Sequence, residues 1–211
     1  TMKYLCENIQ GCVLGYTQSD EITLVLTDYK RLESDAWFDY KVQKMCSIVA
    51  SMATLEFNRK MKRYAVKYAN SGSGDEITKQ FGIYARVFNI PKEEVTNNIY
   101  WRQLDASRNS IQMLGQAYFS HKELQHKTCN QIQDMLMTQK EINWNDLPSH
   151  QKRESCCVKN RRIVSVSADR TETCELRDSS ESENAWVIDK EIPIFKGEGR
   201  LYIDELILLE V

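Results

Sequence analysis

Two short apolar runs face each other across five polar residues near the start of the chain. Gly11 to Tyr16 reads Gly-Cys-Val-Leu-Gly-Tyr, and Ile22 to Tyr29 reads Ile-Thr-Leu-Val-Leu-Thr-Asp-Tyr. The second run is rich in β-branched and aromatic residues, which suit a pleated, half-buried surface. Thr17, Gln18, Ser19, Asp20 and Glu21 lie between. The pattern predicts an antiparallel hairpin with two adjacent carboxylates, Asp20 and Glu21, at its tip. Neighbouring carboxylates repel unless they point to opposite faces or a cation sits beside them. Carboxylates together with water and phosphate oxygens are also the usual surroundings of Mg²⁺. By spacing alone an Asp-Glu pair in a turn is most often a solvated loop, so the pair carries little weight by itself.

The rest of the chain mixes helices and strands. Met2, Leu5, Cys6 and Ile9 have helical spacing, and with Thr1 preceding Met2 they read as the last turns of a helix whose beginning is missing. Phe38, Val42, Met45, Val49, Met52 and Leu55 recur at steps of three or four and predict a long helix. Ser71 to Gly74 breaks that pattern as a loop would. Tyr84 to Ile90 reads as a strand. Pro91 then opens a helix with Glu93 and Glu94 in its first turn, where the dipole favours them. That helix carries Ile99, Tyr100, Trp101 and Leu104 toward Met113, with Trp101 expected in the core. Ser120 and Glu123 form a capping box for another helix, and Asn143 to Pro148 is a turn. Strands are expected around Cys156 to Val158, Ile163 to Val166, Ala185 to Ile188 and Ile192 to Phe195, with a polar loop from Thr171 to Asn184. No regular βαβ rhythm appears, so the fold class is α+β.

Composition narrows the partners. Hydrophobic residues are 42% and charged residues 27%, which excludes a collagen, a disordered chain and a disulfide scaffold. No stretch approaches the roughly 20 apolar residues that span a bilayer, so no membrane partner is expected. A net charge of -2 means that nucleic acid would have to be held by local patches. Lys152, Arg153, Lys159, Arg161 and Arg162 form one basic cluster, and Arg59, Lys60, Lys62 and Arg63 another. The seven cysteines include no Cys-x-x-Cys pair, which reads as reduced thiols in the cytoplasm. The three histidines have no zinc-site spacing with them.

The wider string at the hairpin is far more specific than its carboxylates. Gly15-Tyr16-Thr17-Gln18-Ser19-Asp20-Glu21 closely resembles the Gly-Tyr-x-Gln-Ser-Asp-Glu signature of the tRNA-His guanylyltransferase family. Trp37-Phe38 with Lys44 and Val49-Ala50-Ser51 looks like the family's next helix. Tyr100-Trp101-Arg102-Gln103-x-Asp105 is similar to its Trp-Arg-Gln-x-Asp segment, and Trp186 with Ile192-Pro193-Ile194-Phe195 to its C-terminal pattern. The resemblance covers nearly the whole chain and looks closest to the bacterial guanylyltransferase-like branch.

That resemblance implies a polymerase-palm-like antiparallel sheet with packed helices, and a C-terminal helix and strand extension. Residues 1–119 would form the palm-like catalytic region. Residues 120–211 would pack on the palm and on tRNA. It implies extension of RNA in the 3′-to-5′ direction, with the tRNA 5′ end first activated by ATP or GTP. The 3′-hydroxyl of an incoming nucleotide then attacks the activated end, and like-branch members repair 5′-truncated tRNAs. Asp20 would ligate Mg²⁺ in a two-ion centre and Glu21 would support it. Ser19 could donate to a phosphate, and Lys44 would approach a triphosphate as a compact positive charge. Arg102 and Asp105, three apart on a helix, would contact RNA, shape its site or simply pair with each other. Lys152 and Arg153 would track tRNA phosphates. Nucleoside triphosphates and tRNA are the implied partners, and a homodimer or homotetramer the implied assembly. A catalytically degenerate tRNA-binding relative is the alternative, and another palm enzyme such as a nucleotide cyclase a third reading.

The chain also departs from the family. The Asp-Gly-Arg/Lys segment that supplies a further metal ligand does not occur in it. Ser107-Arg108-Asn109-Ser110 stands where the family has His-Ile-Asn-Asn, which favours the broader repair branch. Tyr84 stands where an Asp is common. Glu154 stands where a Gly is common; Glu lacks glycine's backbone freedom and adds negative charge beside a basic patch.

Overall fold

The computed structural model describes residues 1–30, 34–69, 80–159 and 185–208. Strand alternation and helical periodicity place four strands between two helical layers. Helix α1 (Met2–Asn8) leads into β1 (Cys12–Gln18) and β2 (Glu21–Leu26). Helix α2 (Val42–Ala69) follows, then α3 (Val95–Tyr118), α4 (His121–Leu124), α5 (Cys129–Lys140) and α6 (Ser149–Arg153). The chain then returns to the sheet as β3 (Cys156–Lys159) and β4 (Trp186–Asp189), and α7 (Leu201–Ile207) comes last. The sheet order is β2-β1-β3-β4, antiparallel throughout. This is the expected α+β architecture, and β3 and β4 are built into the same sheet as the hairpin.

Alternation along the strands decides which helix lies on which face. Leu14 and Tyr16 of β1 and Cys156 and Val158 of β3 meet Ile99 of α3, Ile203 and Ile207 of α7, and Phe195. Cys157 and Trp186 point the other way, toward Met2, Leu5 and Cys6 of α1 and Ala53 of α2. A register irregularity between Cys12 and Leu14 turns Cys12 to the α1 face, away from Leu14. A third cluster, Ile111, Phe119, Ile132 and Leu136, joins the far half of α3 to α5.

Several expectations change. The hairpin loop is two residues, because Thr17, Gln18 and Glu21 are strand residues paired across the turn. Residues 84–90 form no strand. The chain just before them is held by α2 side chains instead: Asn58 bonds both backbone groups of Phe81, and Ile83 N donates to Thr54 Oγ1 at 3.0 Å. Residues 192–195 form no strand either. Gln103, 2% exposed, donates to Pro193 O at 2.8 Å and accepts from Phe195 N at 2.9 Å, replacing a ladder. Phe38 lies outside α2, in a turn where Phe38, Asp39 and Tyr40 all have positive φ. Trp101 is 76% exposed rather than in the core. The expected strand Ile163 to Val166, the Thr171 to Asn184 loop and the Ser71 to Gly74 loop lie outside the described residues. Cys6, Cys12, Cys46, Cys129, Cys156 and Cys157 are free thiols.

Candidate active site at the hairpin tip

Strand pairing carries β1 and β2 up to Gln18 opposite Glu21, so Ser19 and Asp20 alone make the turn. Ser19 has φ 53, as a two-residue hairpin turn demands of one of its central residues. The tip is gripped from three directions. Gln18, 4% exposed, donates from Nε2 to Asp105 Oδ2 at 2.6 Å, and Asp105 also faces Arg108 at 3.3 Å. Glu21 pairs with Arg102 at 3.1 Å and with Arg86 at 3.9 Å. Ser19 N donates to Glu154 Oε1 at 3.2 Å. Below the tip, Thr17 N donates to Ser155 O at 3.1 Å, tying β1 to the start of β3.

Asp20 is exposed and has no partner among the described residues. The repulsion between the two carboxylates is therefore eased by a cation: the Arg102 guanidinium pairs with Glu21 and leaves Asp20 as the unpaired carboxylate. Arg102 and Asp105 do not pair with each other. Each instead reaches a different residue of the hairpin.

The other expected residues are placed as follows. Lys44 is exposed in the first turn of α2 with Nζ 4.2 Å from the Phe38 ring centroid, and no bond joins it to the tip. Lys152 Nζ donates to Asn145 O at 2.5 Å and lies 5.8 Å from the Trp144 ring centroid. Arg153 donates to Ser149 Oγ at 3.3 Å, its Nε is buried without a partner, and its carbonyl accepts from Tyr16 Oη at 2.8 Å. Arg59 and Lys60 both pair with Glu56, at 2.6 and 3.5 Å, which occupies half of the second basic cluster. Arg161 and Arg162 lie outside the described residues.

Among the described residues no three carboxylate, imidazole or thiol groups converge on a metal-sized site. The donor set at the tip is one free carboxylate. That suits a single Mg²⁺ completed by phosphate oxygens and water, and it falls short of a two-ion centre. Beside the tip, Ser19 and Glu154 close one end of a cleft of about 350 Å³ walled by Met113, Leu114 and Leu147, with His150 alongside. His150 Nδ1 and Gln18 Oε1 are buried without partners. Sequence reasoning missed the contacts of Gln18 and Arg86. It marked Glu154 only as a departure, and the turn it makes with Ser19 depends on a separation of 135 residues.

Comparison with known proteins places the chain in a family. A family model described as tRNAHis guanylyltransferase matches residues 1–91. The structure of a bacterial tRNA(His) guanylyltransferase-like protein in complex with ATP is 37% identical, covering 99% of this chain and 76% of that one, with a TM-score of 0.77. A bacterial tRNA(His) guanylyltransferase-like protein in complex with GTP is 33% identical over 99% of this chain and 75% of that one, with a TM-score of 0.70. An uncharacterised protein of Acanthamoeba polyphaga mimivirus is 27% identical over 67% of this chain; the chain spans about half, 53%, of that curated relative.

Proposed function

The chain belongs to the tRNA-His guanylyltransferase family, and on that premise we propose that it adds nucleotides to the 5′ end of tRNA, in the 3′-to-5′ direction and under a template, after activation of that end with ATP or GTP. The observation that carries this reading is the hairpin tip: Gln18, Ser19 and Glu21 are each tied to another element and Asp20 alone is presented free. A fixed scaffold holding one unpaired carboxylate is what phosphoryl transfer needs from a protein whose task is positioning and charge. The relatives bound to ATP and to GTP support nucleoside triphosphates as substrates.

In this reading Asp20 is the residue that would hold Mg²⁺, and a bound Mg²⁺ supplies positive charge to the phosphates. Ser19 Oγ donates to a phosphate oxygen. Lys44, whose ammonium carries no carboxylate partner among the described residues, meets the triphosphate. Arg102 and Asp105 hold the tip, while Lys152 and Arg153 lie along the path of the tRNA backbone. The assembly is a homodimer or homotetramer in the cytoplasm. No helix among the described residues is long and apolar enough to cross a membrane.

The test uses a 5′-monophosphorylated tRNA lacking its first nucleotide, with Mg²⁺, ATP and labelled GTP, and compares the protein with Asp20→Ala. Template-matched extension that disappears in the variant is the expected result. The alternative reading is a tRNA-binding relative without catalysis. Tight tRNA binding with no extension by either protein would establish that one instead.

A further inference from the structure

Glu154 connects α6 to β3 with φ 67 and ψ -151, a backbone region that glycine occupies freely and other residues enter only under strain. The chain on both sides explains why it is held there. The Arg153 carbonyl accepts from the buried Tyr16 hydroxyl at 2.8 Å, and Ser155 is bonded to Thr17 through both of its backbone groups. Glu154 N donates to His150 O at 3.2 Å, closing the last turn of α6. Between these anchors the backbone has to reverse, and the reversal aims the Glu154 side chain at the hairpin tip. There its Oε1 accepts the amide of Ser19, itself a non-glycine residue at positive φ. One hydrogen bond thus joins two strained residues, and the second of them immediately precedes Asp20.

We propose that Glu154 is a positioning residue: by accepting the Ser19 amide its carboxylate holds the two-residue turn in the form that presents Asp20. The proposal rests on the reading of Asp20 as the working carboxylate. It assigns the strain at position 154 a purpose, since a glycine there would be relaxed but would leave the turn amide without a protein partner. The acceptor atom is what matters, so an amide side chain of the same length serves in its place.

The experiment compares Glu154→Gly, Glu154→Ala and Glu154→Gln in the full chain. Glu141→Gly is the control, because Glu141 ends α5 at φ 57 and touches nothing at the tip. Two quantities are read: hydrogen exchange of the Ser19 amide by NMR, and kcat and KM for 5′ extension measured separately. Loss of a charge-assisted hydrogen bond corresponds to about tenfold. In the Gly and Ala variants Ser19 exchange should quicken about tenfold and kcat fall by a similar factor, with KM for tRNA unchanged. Glu154→Gln should recover most of both. Glu154→Gly should melt above Glu154→Ala, and Glu141→Gly should leave Ser19 exchange and kcat at their original values. Unchanged Ser19 exchange in Glu154→Gly and Glu154→Ala would overturn the proposal, as would unchanged kcat. If the unmodified protein extends no tRNA, the enzymatic reading fails by itself. Ser19 exchange then still decides whether Glu154 holds the turn: lost protection supports that contact and retained protection overturns it.

Discussion

Gly15→Ala tests why the first residue of the hairpin motif has no side chain. Gly15 lies in the interior strand β1, paired with Leu24 on one side and Cys157 on the other. Helix α1 crosses directly over it. A Cβ at position 15 would sit 2.6 Å from Cys6 Sγ and 2.8 Å from Met2 Cγ. Both side chains are buried, Met2 at 5% and Cys6 at 2% exposed, and both clashing atoms are one bond from Cβ, so α1 itself has to lift. Overpacking of this kind costs about 1–3 kcal/mol. Removing glycine from a strand returns about 0.5–1 kcal/mol. The net expectation is a loss of roughly 1–2 kcal/mol, or about 2–8 °C in melting temperature for a chain of this size. Cys6→Ala alone should lose about 1–2 kcal/mol of packing, yet it removes the nearer of the two clashes that the new methyl makes. The double variant should therefore be more stable than the sum of the single effects by about 1 kcal/mol. Urea unfolding followed by circular dichroism measures all three. Additivity within about 0.5 kcal/mol, or a Gly15→Ala protein as stable as its parent, would refute the idea that this glycine exists to seat α1.

Gln103→Leu removes both partners of the Pro193–Phe195 segment and leaves a buried carbonyl and a buried N–H unpaired; a loss of about 2–4 kcal/mol in urea unfolding is expected. Arg102→Ala breaks an ion pair in which both side chains are more than a third exposed, so its effect on stability should stay below about 1 kcal/mol. Extension activity should fall in the same variant, because Glu21 then repels the phosphates beside Asp20. Burial pushes the Cys156 thiol and the Tyr16 and Tyr202 phenols up from their ordinary values. The folded protein keeps these protons while the unfolded chain releases them above about pH 9 for the thiol and about pH 10 for the phenols. Their contribution is thus complete at neutral pH and declines as pH rises. Urea midpoints under reducing conditions should be level from about pH 7 to 8 and fall beyond about pH 9, and a midpoint that rises there would contradict the burial of these groups.

What was legible in the sequence was the facing pattern. Two apolar runs across a polar stretch predict the hairpin, helical spacing predicts α1, Pro91 with Glu93 and Glu94 marks the approach to α3, and Ser120 with Glu123 marks the start of α4. Along the expected strand from Tyr84 to Ile90 exposure alternates at first, with Ala85 and Val87 half-buried and Tyr84, Arg86 and Phe88 exposed, yet no strand forms there. What fails is the inference from alternation to a paired strand. Periodicity reports which side of a segment is dry, and it does not report which group satisfies the backbone. At Phe81 and Ile83 that group is a side chain of α2; at Pro193 and Phe195 it is Gln103. The same limit applied to Arg102 and Asp105, whose spacing allowed an intrahelical pair that the hairpin tip pre-empts.

Three sets of polar contacts converge on one turn of α3. Arg102 takes Glu21, Gln103 takes Pro193 and Phe195, and Asp105 takes Gln18. Trp101 stays in solvent, so the polar residues of the Trp-Arg-Gln-x-Asp segment are the ones that organise structure. Two of them face the hairpin from the same side of the helix, and the third points toward the C-terminal segment that buries Ile192 and Phe195 against Tyr16. The turn at Ser19 and Asp20 is therefore braced by α3 on one side and by Glu154 on the other. Tyr16, two residues before the end of the same strand, is packed against the segment that Gln103 holds. A chain in which α3 shifted by even one residue would lose the tip and the C-terminal anchor together.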